Sequence, residues 1–299
     1  MSTFNSPIIN IQLATQLINE HFPQWAGLAI EPVASAGTDN ALFHLGEAML
    51  IRLPNAQWAY QQVEKEQRWL PLMADHLPID IPRPIAMGRS SVAFEHSWSI
   101  YNWLDGSDLS QQSLENLDQA AIDLAAFIRA LQSRNSSGGP RAGAHNNYRG
   151  IDLSKLDSVV RSSIDELGSR IDGPVISELW QCALNESPWQ QAPVWLHGDI
   201  HPGNILAKHG RISAVIDFGL MGVGDPACDL LVAWNLLAHD SRQLFRQHLQ
   251  VDDSTWARGR GWALYTALVA LPYYWSSNPV IVAMAQRTLN EILADSALW

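Results

Sequence analysis

His197-Gly198-Asp199-Ile200-His201-Pro202-Gly203-Asn204, followed thirteen positions after Asn204 by Asp217-Phe218-Gly219, is the stretch on which the reading of this chain turns. An Asp with an Asn five residues later and an Asp-Phe-Gly beyond follows the order of phosphoryl-transfer sites. There a loop carboxylate accepts a hydroxyl proton and two oxygen ligands hold a divalent ion. The chemistry requires those residue types. Moving a γ-phosphoryl group means neutralising charge on its oxygens, for which hard oxygen ligands on Mg²⁺ are suited. It also means aligning an attacking hydroxyl, whose proton a carboxylate can take late in the reaction. Asp199 is the expected catalytic base, and Asn204 and Asp217 are the expected metal ligands. Each alone is an ordinary loop or capping residue; their order and spacing carry the signal. His197 and His201 stand four apart, but Pro202 and Gly203 deny the helix that would turn both toward one metal, so no zinc site is expected. His197 reads as a hydrogen-bonding brace of the loop.

Val194-Trp195-Leu196 and Ile212 to Ile216 read as two short strands bracketing the polar loop, a hairpin set into a helical body. The body is announced by Ala- and Leu-rich stretches at helical period from Leu114 to Leu131 and again from Val175, Pro226, Ser241 and Thr255. Asn135 to Pro140 reads as a surface turn. The first hundred residues have a different texture. Leu28 to Val33, Ala41 to Leu45, Ala48 to Leu53 and Val92 to Tyr101 read as strands, and Asn5 to Glu20 and Ala56 to Met73 as helices. The expected organisation is α+β in two lobes: residues 1–105, a small sheet with a helix, ending in the inter-lobe segment, and residues 106–299, mainly helical, with the catalytic loop and an acceptor site.

Ser35-Ala36-Gly37-Thr38-Asp39-Asn40 lies between two expected strands, where a nucleotide-covering hairpin would sit, although one glycine alone reads as a plain turn. Arg52 is the only cation in Met49-Leu50-Ile51-Arg52 and ends a strand where a phosphate-contacting Lys is usual, a substitution that keeps the charge and adds a planar fork. Leu50, two residues earlier on the same strand face, could cover a purine base. An ion-pair partner for Arg52 is expected from the following helix, where Glu64 and Glu66 compete.

Composition narrows the partners. The 299 residues carry 19 basic and 30 acidic side chains, a net charge of −11, which leaves no basis for gripping a phosphate backbone along a broad surface. Nucleic acid is not an expected partner. Apolar stretches such as Ala267 to Leu271 and Val280 to Ala285 fall short of the roughly 20 residues of a membrane span. The first basic residue is Arg52, so the amino terminus lacks the charged region of a secretory signal. The two cysteines, Cys182 and Cys228, read as small buried hydrophobes in a reducing compartment. A cytoplasmic location is expected.

The residues His197-Gly198-Asp199 with Asn204, then Ile216-Asp217-Phe218-Gly219, then Gly224-Asp225-Pro226-Ala227-Cys228-Asp229-Leu230, resemble the defining stretch of the aminoglycoside phosphotransferase family. These small-molecule kinases are related to choline kinases and more distantly to protein kinases. The resemblance implies a two-lobed protein-kinase-like fold with ATP and Mg²⁺ as cofactors and adenine bound to backbone around Asn102, Trp103 and Leu104. Phosphate contacts would fall near Thr38 and at Arg52, and Glu66 is preferred to Glu64 as its ion-pair partner. Asp225 before Pro226 reads as a helix N-cap, and Asp229 as structural. Only seven residues separate Asp217 from Asp225, too few for the long segment on which protein kinases dock polypeptides, so the acceptor is expected to be a small molecule with a hydroxyl. An aminoglycoside is the first expectation, with Asp157, Asp165, Glu166, Asp240, Asp252 and Asp253 available as carboxylates. A metabolite alcohol such as choline or an amino sugar is the second, with Trp262 and Tyr273-Tyr274-Trp275 as aromatic candidates. A nucleotide-binding pseudokinase scaffold is the rival of another class. Oligomeric state is not legible.

Overall fold

Asn10 opens the first helix by accepting the backbone N–H of Leu13 at 3.0 Å, satisfying one of the donors that a helix start leaves orphaned. The helix, α1 (Ile11–His21), buries Leu13, Ala14, Leu17 and Ile18, a stripe at helical spacing. In this computed structural model, which describes residues 9–34 and 39–296, the chain forms two units. One comprises Met1–Asp75 and Asp80–Asp105, the other His76–Ile79 and Gly106–Trp299.

In the first unit β1 (Ile30–Pro32), β2 (Asn40–Leu45), β3 (Met49–Pro54), β4 (Pro84–Gly88) and β5 (Trp98–Asn102) form an antiparallel sheet in the order β1-β2-β3-β5-β4. Alternation divides its residues between two faces. Phe43, Leu45, Ile51, Leu53, Trp98 and Ile100 pack with the α1 stripe into one apolar core. The cross-strand sets His44–Leu50–Tyr101 and Leu42–Arg52–Ser99 occupy the other face. Against that face stands α2 (Gln62–Trp69), tied down where Gln67 donates to Ser99 Oγ at 2.9 Å and to the Ala86 carbonyl at 3.0 Å.

The second unit continues with β6 (Ser107–Asp108), α3 (Leu117–Gln132), α4 (Asp157–Leu167), α5 (Gly173–Asn185), β7 (Val194–Leu196), β8 (Ile205–Lys208), β9 (Arg211–Val215), β10 (Gly222–Gly224), α6 (Val232–Asn235), α7 (His239–Leu249), α8 (Asp253–Tyr274) and α9 (Pro279–Ser296). Its core includes Phe127, Trp180, Trp195, Trp234, Phe245 and Trp262, all essentially inaccessible to solvent. Asn116 caps α3 and Asp252 caps α8, through Gln119 N at 3.0 Å and Thr255 N at 2.6 Å. The α+β class expected from sequence holds.

Three local expectations are corrected. β7 and β9 are not a hairpin: β7 pairs with β10, and β9 pairs with β8, itself paired to β6. The two short runs looked like partners because nothing between them marked Ile205–Lys208 as a strand. The expected strand from Val92 begins only at Trp98, because residues 91–94 close a turn in which Ser91 accepts from Ala93 N and donates its own N–H to the Phe94 carbonyl. The expected helix 56–73 is a 3₁₀ turn, then α2, then a second 3₁₀ turn from Leu70. Pro71 has no N–H to continue the ladder. Among the described residues no helix is long and apolar enough to cross a membrane, and both cysteines are free thiols.

Candidate active site

The loop after β7 is shaped by what lies behind it. Asp229, fully buried, accepts the N–H of His197 at 2.8 Å and of Gly198 at 2.7 Å. Gly198 turns at φ 85°, and a Cβ there would meet the Leu220 carbonyl oxygen at 2.6 Å, so only glycine fits the passage. His197, also fully buried, accepts the Asp199 N–H on Nδ1 at 3.2 Å and donates from Nε2 to the Ile216 carbonyl at 3.0 Å. Burial holds its pKa down, so it stays a neutral brace, the role read from sequence. Two loops are thereby pinned together by residues nineteen apart, and the Ile216 N–H returns the link by donating to the Asn204 carbonyl at 2.9 Å.

The three motif residues come to the ends of these pinned loops. Asn204, nearly buried, donates from Nδ2 to the Asp199 carbonyl at 3.0 Å and toward Asp199 Oδ2 at 3.4 Å, so Oδ1 is the acceptor atom of its amide. Asp217 follows β9 in left-handed backbone, φ 61°. It accepts the Gly219 N–H at 3.3 Å and remains exposed. A non-glycine residue in that conformation is strained, and such strain collects at functional sites.

Asp199 itself is held from two sides, by an imidazole and a guanidinium. His201 Nε2 lies 3.5 Å from Oδ2, and Arg149 Nη2 lies 3.5 Å from Oδ1. His201 Nδ1 accepts the Gly203 N–H at 3.1 Å, which places the ring proton on Nε2, facing the carboxylate. Burial works to raise the Asp199 pKa, but His201, facing the carboxylate with its ring N–H, and the charge of Arg149 outweigh it and hold the carboxyl well below the usual range. Burial likewise pulls His201 down, and the Asp199 carboxylate more than reverses it. Arg149 was missed in the sequence, and His201 was weighed only as a metal ligand. No spacing rule reaches Arg149, which lies fifty residues upstream of its partner.

In the first unit Arg52 Nη1 reaches both Glu66 oxygens, at 2.8 and 2.7 Å. Glu66 is buried and Glu64 exposed, so the pair forms with Glu66. Leu50 lies half-buried on the same sheet face as Arg52. The Asn102 N–H is engaged by the Arg83 carbonyl and the Trp103 N–H by the Ala48 carbonyl. The Trp103 ring lies against His44 with centroids 3.8 Å apart. Of the three expected base-binding amides, Leu104 N–H alone makes no hydrogen bond among the described residues. Thr38 lies outside the described residues.

Several acceptor candidates have other employment. Asp157 binds Arg161 and the Trp180 indole N–H, Asp252 is a cap, Asp253 pairs with Arg246, and Trp262 is core. Among the described residues no three His, Cys, Asp or Glu side chains converge on one metal position. A set of one carboxylate and one amide oxygen suits Mg²⁺, which fills its remaining positions with water and substrate phosphates.

The family model described as the phosphotransferase enzyme family matches residues 30–262. The chain belongs to that family. An aminoglycoside 3'-phosphotransferase of Escherichia coli is 31% identical over 74 residues, 25% of this chain and 27% of that protein. Matched stretches span between 27% and 46% of the curated relatives' own lengths. The GDP and kanamycin complex of APH(2")-IIia superposes with a TM-score of 0.72 at 18% identity, covering 95% of this chain and 98% of that one. The macrolide 2'-phosphotransferase MphH from Brachybacterium faecium does so with 0.60 at 18%, covering 93% and 97%. These likenesses establish the protein-kinase-like fold of this family member.

Proposed function

We propose that this family member is an ATP- and Mg²⁺-dependent kinase that moves a γ-phosphoryl group to a hydroxyl of a small acceptor, with aminoglycoside-like compounds as the leading class. The observation that carries the reading is the Asp199–Asn204 contact beside the left-handed Asp217 turn: a base candidate tied to one oxygen donor and pinned to the loop of a second. Asn204 Oδ1 and Asp217 would hold Mg²⁺, which supplies charge neutralisation of phosphate oxygens when bound. Arg52, aligned by Glu66, would meet phosphate oxygens, and the Leu104 N–H would meet the purine edge, with Leu50 and the Trp103 segment against its face. Thr38 completes the phosphate contacts in this reading. Asp199, kept ionised by the His201 N–H and the Arg149 guanidinium, would orient the acceptor hydroxyl and take its proton as the new O–P bond forms and the bond from the γ-phosphorus to the bridging oxygen breaks, with ADP leaving. The proton stays on Oδ and no covalent enzyme intermediate is required. The printed names of the relatives, which act on aminoglycosides and macrolides, support the acceptor class.

The test is nucleotide turnover with Mg²⁺ against kanamycin, gentamicin, a macrolide, choline and an amino sugar. Saturable turnover with an antibiotic and its loss by about 10²- to 10⁴-fold in Asp199→Asn, with ATP binding retained, are expected. Turnover with choline or the amino sugar alone moves the acceptor to a metabolite alcohol. Wild-type rates in Asp199→Asn remove the base, and nucleotide binding without any turnover makes the protein a scaffold.

A further inference from the structure

Arg149 has no place in the motif, and folding does not account for it. Its side chain is only 13% exposed, and among the described residues Asp199 is the one carboxylate within ion-pair distance, at 3.5 Å, with the buried Asp229 feeling its charge from farther away. Nε and Nη1 are buried with no hydrogen-bond partner among the described residues. The Tyr265 ring lies 5.6 Å from the guanidinium carbon. A guanidinium withdrawn from water repays its lost hydration only when its donors are well matched, and an apolar side chain of similar volume would serve the core as well or better.

The backbone that delivers this residue is strained in the same place. Asn147 and Tyr148, immediately before Arg149, both adopt positive φ, 49° and 58°, and Gly150 follows at 87°. Asn tolerates that region; an aromatic residue does so at a cost. Strain persists where the surroundings over-determine it. Here fully buried Asn146 accepts the Gly143 N–H at 2.9 Å and donates to the Arg149 carbonyl at 3.0 Å. The Asp225 N–H closes the loop on the Gly150 carbonyl at 2.9 Å. The Arg149 stem then lies over Gly198, whose position admits no side chain of its own, with Arg149 Cβ and Cγ 3.2 and 3.3 Å from where a Cβ would stand. The loop and the glycine together carry one cation to one carboxylate oxygen.

We propose that Arg149 is the positioning residue of Asp199, fixing Oδ1 while His201 holds Oδ2, so that the carboxylate meets the acceptor hydroxyl in one orientation. The proposal rests on the reading of Asp199 as the base. No bond or proton changes at Arg149 itself. Arg149→Met and Arg149→Lys, made in the full chain beside wild type and Asp199→Asn, test it. The measurements are MgATP turnover with kanamycin as acceptor and with water in its absence, the KM for ATP, and Tm. Arg149→Met is expected to lower kcat roughly 10- to 100-fold, the scale of a misplaced catalytic group, at unchanged KM for ATP and with Tm equal to or above wild type. Arg149→Lys is expected to keep most of the turnover. Added guanidinium at low millimolar concentration is expected to restore part of the kcat lost in Arg149→Met. Two results overturn the proposal: turnover within twofold of wild type in Arg149→Met while Asp199→Asn is inactive, or a Met variant that fails to fold or loses Tm in step with activity. Wild-type turnover in Asp199→Asn, or none in the wild type with water or with any acceptor of the panel named above, removes instead the reading beneath it, and the proposal falls with that; where another acceptor of that panel is the one turned over, it replaces kanamycin in the test.

Discussion

The Tyr101 hydroxyl donates to Glu66 Oε2 at 2.5 Å, the same oxygen that Arg52 Nη1 holds at 2.7 Å. Burial, reinforced by the Glu66 charge, pushes the Tyr101 phenol well above its ordinary pKa, so it remains a donor at any working pH. Glu66 is thus fixed from both sides, and Arg52 is presented by a carboxylate that cannot rotate.

Removing that donor should loosen the arginine. Tyr101→Phe is expected to cost about 1.5–3 kcal/mol, the range for a hydrogen bond to a charged group, and to raise the KM for ATP several-fold with kcat little changed. Denaturant titration and ATP kinetics decide it; unchanged ATP kinetics would separate Tyr101 from the nucleotide.

Asp229 gives a pH dependence with a definite sign. Burial pushes its carboxyl up to about 7, against the two backbone donors that favour the charged form, whereas an unfolded carboxyl titrates near about 3.9. The folded state therefore binds this proton more tightly. The contribution of Asp229 to stability is complete below about pH 4 and is lost as pH rises through about 7. Asp229→Asn keeps one acceptor, turns an N–H₂ toward the second backbone donor, and is expected to lower stability by about 1–3 kcal/mol while flattening that slope. Denaturation at a series of pH values between 4 and 8 tests this, and an unaltered slope refutes it.

Gly198→Ala places a methyl group against the Leu220 carbonyl and forces a side chain into positive φ. Relief requires the loop to move, and Asp199 is the next residue. Turnover is expected to fall by more than about tenfold together with Tm. A variant with wild-type turnover would show that Asp199 tolerates displacement.

The Asp225 carboxylate receives Arg258 Nε at 2.7 Å and Nη2 at 3.2 Å and also caps the following turn at Ala227 N, 3.0 Å. Both side chains are 6% exposed. Asp225→Ala leaves a buried guanidinium unpaired and is expected to cost about 3–5 kcal/mol, whereas Asp225→Ala with Arg258→Met should recover much of that. Equal instability of single and double variants in chemical denaturation would assign the loss to the cap instead.

Local order along the chain made the Asp199–Asn204 loop, the Asp-Phe-Gly turn, the Asp225-Pro226 cap and most helices legible, because each depends on spacing within a few residues. Strand pairing was less legible. Ile205–Lys208 has no turn signal of its own and exists by pairing with β6 and β9, so β7 and β9 passed for a hairpin. Between Glu64 and Glu66 the sequence offered no local discriminator, since both follow Arg52 on one helix; burial against Tyr101 made the choice. The amides of Asn102 and Trp103 looked equivalent to that of Leu104 until Arg83 and Ala48 were found to engage them.

By itself the sequence determined the reaction class that these residues can support and the order in which the chain presents them, since oxygen-ligand chemistry and short-range spacing are written residue by residue. Only the tertiary structure decided what surrounds Asp199. Arg149 and Asp229 act on it from fifty residues before and thirty residues after, and at that range position is set by packing and backbone hydrogen bonds that no local pattern encodes.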